Sequence, residues 1–330
     1  MDSALLIIAA VVIIALAFDY INGMHDAANA IATVVSTRVL SPRTAILMAA
    51  ALNFGGAFLS TAVANTIGKG IVDPAIVTNG IVAAALLGAI AWNLLTWYFG
   101  IPSSSSHALI GGVIGGVASY HGFGVLQSAG LIKILKALIF SPLLGLAGGF
   151  IIMVAIMWIF RRARAGFVNH TFKILQVISA GFMAISHGSN DAQKIMGVIA
   201  MALFGAGYID DFHIPFWVVF GCASAMAIGT ATGGWRIIKT MGNKMIKLQP
   251  VNGFAAETAA SIVILGATHF GTPVSTTHVI SSSIMGVGTA KRASAVRWGV
   301  AGNMAIAWVL TIPASGLVAY GFGMLFKAWA

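Results

Sequence analysis

Two short polar sequences, each present twice, carry the residues able to do chemistry in this chain. The first pair is Asn22-Gly23-Met24-His25-Asp26-Ala27-Ala28-Asn29 and His187-Gly188-Ser189-Asn190-Asp191-Ala192-Gln193-Lys194. The second is Gly100-Ile101-Pro102-Ser103-Ser104-Ser105-Ser106-His107 and Gly271-Thr272-Pro273-Val274-Ser275-Thr276-Thr277-His278. Asp26 and Asp191 lie 165 residues apart, and His107 and His278 lie 171 apart, in a chain of 330. The surroundings of each motif are strongly apolar. A carboxylate held there must be paired, hydrated or protonated, so Asp26 and Asp191 are candidates for cation coordination or proton carriage. A proline followed by hydroxyl residues starts a helix, where free N–H groups and the positive dipole end receive an oxyanion. Ser104, Ser105 and Ser106 on one side, and Ser275, Thr276 and Thr277 on the other, are therefore candidate anion ligands.

The two copies differ informatively. Asn29 follows Asp26 by three residues, and Lys194 follows Asp191 by three. Three apart is the same helical face, so Lys194 can pair with Asp191, attract an anion or shuttle protons. Glu257 is a further acid inside an apolar stretch, with no acidic counterpart in the first half. It reads as a path residue or as an interhelical ion-pair partner. His25, His187, His107 and His278 recur with the motifs and are open to proton-linked or purely structural roles. Asn190, beside Asp191, adds an amide. Cys222 is the single cysteine, which excludes an intramolecular disulfide and a multi-cysteine metal site. No cofactor, resident metal or catalytic set is assigned.

The elements that position these groups follow from composition. The chain is 59% hydrophobic and 8% charged, against roughly 25% charged in an ordinary soluble domain. Apolar segments fall near 3–22, 26–37, 44–67, 76–99, 103–119 and 131–160, then near 174–187, 190–206, 214–235, 250–269, 274–289 and 298–327. In lipid, backbone groups must be satisfied within the segment, so these read as helices of an all-α polytopic membrane protein. The run from Ala4 to Phe18 resembles a secretory signal but lacks a basic leader, and we expect a retained span.

The formal net charge of +10 invites a nucleic-acid partner, but its distribution argues for the membrane. Thirteen of the 18 Lys and Arg sit between apolar segments: Arg38, Arg43, Arg161, Arg162, Arg164, Lys173, Arg236, Lys239, Lys244, Lys247, Lys291, Arg292 and Arg297. This is the bias of cytoplasmic loops, and it places 161–173, 236–247 and 291–297 inside and 208–214, with Asp210 and Asp211, outside. One crossing by 214–235 then requires one net crossing by 174–206. The 174–187 piece is too short to span alone, so the expected solution is a helix broken at His187-Gly188-Ser189-Asn190. By the same logic 3–37 is one crossing broken at Asn22-Gly23-Met24-His25. Five net crossings per half is an odd number, so the second half enters from the opposite side. Pro142 and Pro313, 171 apart, each fall within the last long segment of a half and should bend it. The expected organisation is a first inverted repeat over 1–160, a basic cytoplasmic linker over 161–173 and a second inverted repeat over 174–330. Interrupted or re-entrant helices meeting at a central site between inverted repeats is the architecture of secondary transporters.

Two other classes compete. An intramembrane hydrolase would use Ser, His and Asp, but catalysis needs one such set and gives no reason to duplicate every element in inverted form. An anion channel would conduct without coupling and tolerate loss of the carboxylates.

These motifs together resemble the inorganic phosphate transporter (PiT) family. The resemblance rests on the paired signatures Gly23–Asp26 and Gly188–Asp191 with Asn29, on both Pro-x-Ser-x-x-His elements, and on Asn252-Gly253-Phe254-Ala255-Ala256-Glu257. It covers nearly the whole chain and implies phosphate symport through a site made by both aspartates and the hydroxyl-bearing tips. Sodium-coupled members carry Asn-Asp-x-Ala-Asn in both halves. Here His25 replaces the first Asn, and the second copy reads Asn-Asp-Ala-Gln-Lys. The latter is similar to the bacterial low-affinity branch, for which the resemblance implies proton coupling and transport of metal–phosphate complexes. Lys194 fits that reading, because a fixed ammonium disfavours Na⁺. Sodium coupling and sulfate as the tetrahedral anion are the alternatives. The implied partners are inorganic phosphate, the coupling proton or Na⁺, a divalent metal travelling with phosphate, membrane lipid and a second copy of the chain. The implied location is the cell inner membrane, crossed several times.

Overall fold

A computed structural model describes residues 3–329. The first half comprises α1 (Ser3–Ser36), α2 (Pro42–Gly56), α3 (Ala62–Gly70), α4 (Asn79–Phe99), α5 (Ser105–His121) and α6 (Ser128–Ile159). The second comprises α7 (Ala165–Gly205), α8 (Phe216–Thr232), α9 (Trp235–Lys239, continued by a π turn over Thr240–Lys244), α10 (Pro250–His269), α11 (Thr276–Lys291) and α12 (Trp298–Trp329). The halves match helix for helix.

Packing follows the same exchange. α1 packs on α8 while α7 packs on α2; α5 packs on α12 while α11 packs on α6. Each half thus closes its partner's helices, as a two-fold axis between inverted repeats requires. Pro142 lies inside α6 and Pro313 inside α12, at matching places. Among the described residues, five helices are long and apolar enough to cross a membrane, namely α1, α4, α6, α10 and α12, with a sixth if α8 and α9 are one span bent by 60°.

The expected breaks in the signature helices are not there. α1 is continuous over 34 residues, about 50 Å, and α7 over 41 residues, about 60 Å. The signature glycines serve close approach instead. A Cβ on Gly23 would lie 2.2 Å from the Met226 carbonyl oxygen of α8, and one on Gly188 would lie 2.1 Å from the Asn53 carbonyl oxygen of α2. Gly23→Ala or Gly188→Ala should therefore destabilise the protein by about 3 kcal/mol, because the obstacle is backbone rather than a side chain that can turn away. Thermal unfolding of the detergent-solubilised protein would show it as a clear fall in midpoint.

The interruptions fall in the second helix of each half. Segment 44–67 divides into α2 and α3, and the newly freed Val63 N–H donates to Gln193 Oε1 of α7 at 2.8 Å. Segment 214–235 ends α8 at Gly233, whose φ of +71° turns the chain into α9. The basic stretch 236–247 is consequently not an open loop. Ile237, Ile238 and Met241 are buried at helical spacing while Lys239 and Lys244 remain outside. Likewise 165–173 forms the first turns of α7, so the linker between halves shortens to the turn at 160–164.

α5 and α11 are short, at 17 and 16 residues, and begin in the middle of the molecule. α4 ends at Gly100 with φ +66°, and α10 is followed by Gly271 with φ +62°, left-handed positions that turn each chain back as a hairpin. The turns Pro102–Ser104 and Pro273–Ser275 are fully buried. These are the re-entrant elements of the fold.

Candidate functional site

The site forms where the middles of α1 and α7 meet the two hairpin tips. None of the sixteen candidate residues is more than 7% exposed, so the cluster is buried. Ser104 and Ser275 are the N-caps, their hydroxyls accepting from the His107 and His278 N–H groups at 3.1 and 3.3 Å. That leaves the first-turn N–H groups of Ser105, Ser106, Thr276 and Thr277 without intrahelical acceptors. The tips touch one another through the tilted imidazoles of His107 and His278, with ring centroids 4.4 Å apart, and Trp308 stacks on His278 at 4.0 Å. These two histidines hold the tips together.

Asp191 has three polar partners. Lys194 donates to its Oδ1, Thr276 donates to its Oδ2 at 2.8 Å, and His187 Nε2 lies 3.3 Å from Oδ2. Asp26 Oδ1 faces His25 Nδ1 at 2.7 Å and Thr277 Oγ1 at 3.4 Å. Ligand atoms of Asp26, His187 and Asp191 all lie within 4.8 Å of one another. The two aspartates, far apart in sequence, thus share one pocket.

Contacts cross between halves in matched fashion. Lys194 of α7 donates to Ser106 Oγ at 2.5 Å on the first hairpin and to the Val274 carbonyl at 2.8 Å on the second. Asn29, its counterpart on α1, donates to Thr277 Oγ1 at 2.9 Å and Thr276 Oγ1 at 3.2 Å. Flanking pairs repeat too: His25 Nε2 lies 3.1 Å from Thr96 Oγ1 of α4, and Asn190 Nδ2 donates to Thr268 Oγ1 of α10 at 2.8 Å. Conformational freedom at the centre is small, because charged and amide groups are bonded to both hairpins at once.

Chemically the pocket combines two carboxylates, one ammonium, four hydroxyls and the open ends of two helices. Donors suit a tetrahedral anion. The Asp26–His187–Asp191 set suits a cation, although Lys194 already holds one Asp191 oxygen and lowers the appetite for a divalent ion. Ser105 Oγ and Asn29 Oδ1 are buried without hydrogen-bond partners and remain available.

Not every expected residue joins this cluster. Ser104 and Ser275 act as caps and contact neither aspartate. Glu257 forms a separate knot, accepting from Thr33 and Ser179 hydroxyls and from Gln176 Nε2 at 3.3 Å. Thr33 follows Asp26 by seven residues on α1, about 10 Å along the axis. Glu257 therefore sits one level away from the pocket, with neutral donors and no ion-pair partner among the described residues. One acid is not singled out by the motifs at all: Asp19 is fully buried in α1. An acidic residue within an apolar stretch is the signal that could have found it, and the length of the run around it hides it.

A model of the phosphate transporter family matches residues 22–168 and again 161–319, one match per half. The chain belongs to the phosphate transporter family. Among similar proteins, one from Bacillus subtilis (strain 168) named "Probable low-affinity inorganic phosphate transporter" is 51% identical over 326 residues, covering 97% of this chain and 98% of the relative. One of the same name from Rhizobium meliloti (strain 1021) is 50% identical over 314 residues, with 94% of each covered. The fold matches that of a solved structure named "The sodium-dependent phosphate transporter", with a TM-score of 0.88, 23% identity, and 98% and 100% of the two chains covered. These relatives are named as transporters, and the chain is a transporter rather than an enzyme.

Proposed function

We propose that this family member is a proton-coupled symporter of inorganic phosphate, working by alternating access around the pocket between α1, α7 and the hairpin tips. The observation that carries the reading is the meeting of Asp26 and Asp191, from opposed halves, within 4.8 Å at two buried helix starts. Phosphate would receive the free N–H groups of both tips, the hydroxyls of Ser105, Ser106, Thr276 and Thr277, and the Lys194 ammonium. Hydrogen phosphate can also donate to an aspartate, a bond that sulfate cannot make, and this favours phosphate over sulfate. The aspartates repel a dianion unless protons or a cation accompany it. Coupling follows from that repulsion. A divalent metal entering with phosphate would sit on the same carboxylates as cargo.

The His25 and Lys194 departures support protons as the coupling ion, with Glu257 as a carrier one level beyond the pocket. Sodium coupling is the second reading, favoured by the sodium dependence for which the structural neighbour is named. The basic segments 161–173, 236–247 and 291–297 support a cytoplasmic placement of those ends in the inner membrane.

Uptake of labelled phosphate into proteoliposomes with imposed gradients tests the coupling. A pH gradient, acid outside, should drive accumulation without sodium; accumulation that follows only a sodium gradient would reject proton coupling. In the same assay Ser105→Ala and Thr276→Ala should each raise the KM for phosphate by about tenfold or less, consistent with loss of one hydrogen bond, while the amount of inserted protein stays unchanged.

A further inference from the structure

We propose that Asp19 is a proton-binding station of this transporter, lying between one membrane face and the central pair of aspartates. It rests on the proton-coupled reading above and extends it to a residue outside the pocket.

Asp19 is 0% exposed, and neither of its carboxylate oxygens has a hydrogen-bond partner. Asn22, one turn on, is 3% exposed, and its Oδ1 is unpartnered as well. Three buried acceptor oxygens on one turn of α1 thus lack a well-formed hydrogen bond. The groups facing Asp19 are few. From α8 the Cys222 thiol, a weak donor, lies against it, and the Asn22 side-chain amide on α1 is the other near donor. From α7, Asp191 and Lys194 act on it only through space, and Asp26 is on its own helix. A buried carboxylate served by only a thiol and an amide, neither in full hydrogen-bond geometry, is costly to keep charged in a membrane protein. A bound proton supplies the missing donor.

The fold does not require an acid there. At the matching place in α7 stands Ala184, also fully buried. Asp19 precedes Asp26 by seven residues, the same helical face and about 10 Å along α1, while Thr33, which holds Glu257, follows Asp26 by seven. Glu257 is equally unmatched, with the apolar Leu86 at its counterpart position. The two acids that break the internal symmetry therefore stand on either side of the two that keep it, Asp19 on α1 and Glu257 on α10 against Thr33, at the levels seven residues before and after Asp26 on α1. A line of carboxyl groups through an otherwise apolar interior is what a proton needs to travel in steps. In each step an O–H bond forms at Asp19 as hydronium becomes water. It breaks when the proton passes through water to a central carboxylate, so proton and charge are conserved.

The test compares wild type, Asp19→Asn and Asp19→Glu in proteoliposomes, in two modes. One is net phosphate uptake driven by a pH gradient, and the other is phosphate–phosphate exchange at equal pH and concentration. Exchange needs no net proton movement. Asp19→Asn keeps shape and fold, and should lower gradient-driven uptake at least about tenfold while exchange persists; Asp19→Glu should restore driven uptake in part. Driven uptake by Asp19→Asn at the wild-type rate would overturn the assignment. So would a parallel fall of both modes with a lowered thermal midpoint, the mark of a structural role. If wild-type uptake ignores the pH gradient, the coupling reading itself fails. If wild type responds and Asp19→Asn responds equally, only Asp19 is removed from the path.

Discussion

Asp26→Asn and Asp191→Asn should each abolish gradient-driven phosphate uptake while the protein still inserts, Asp191→Asn with a lowered unfolding midpoint because the Lys194 ammonium loses its counter-charge. Asparagine keeps the shape of aspartate and most of its acceptor capacity, so Thr276 and His187 retain a partner when Asp191 is changed. What disappears is the charge and the ability to take a proton. A hydrogen bond to a charged group contributes about 1.5–3 kcal/mol, so a transport intermediate that relies on one such bond should lose about 10–100-fold in rate. Loss of coupling removes accumulation outright. Filter-based uptake beside a thermal-unfolding control measures both. Normal accumulation by either variant would take that aspartate out of the mechanism.

Lys194→Met should be among the most destabilising single changes in the pocket. It strands Asp191 without its counter-charge and removes donors to Ser106 and the Val274 carbonyl. Breaking a buried ion pair from one side destabilises by about 3–5 kcal/mol, because the remaining charge is uncompensated. The double variant Asp191→Asn with Lys194→Met should recover most of that stability, since no buried charge is left over, yet remain inactive in uptake. This separation of stability from transport distinguishes a working ion pair from a structural one. Equal unfolding midpoints for wild type and Lys194→Met would contradict the pairing.

Helix starts and hairpins are legible in the sequence because their signals are local. Proline, hydroxyl caps and a left-handed glycine act within a few residues, and segment 250–269 matches α10 residue for residue. The paired aspartates are legible because duplication makes them stand out. Misplacement of the helix breaks has a simple cause. Glycine amid polar residues resembles an interruption, and only the partner helix reveals that Gly23 and Gly188 clear space for a carbonyl. The true breaks depend on partners from the other half, such as Gln193 accepting from Val63 N–H. Bonds between Asn29 and Thr277, separated by 248 positions, leave no local trace. Asp19 is hidden for the opposite reason: averaging over an apolar run conceals one acid.

The reciprocal packing of α5 with α12 and of α6 with α11 bears on biogenesis. When the ribosome has delivered only the first six helices, the faces destined for the later ones have nothing but lipid to rest against. The nascent half must wait in the bilayer as a loosely associated intermediate until its mirror arrives. Assembly is therefore a late, concerted event, and neither half alone should survive quality control.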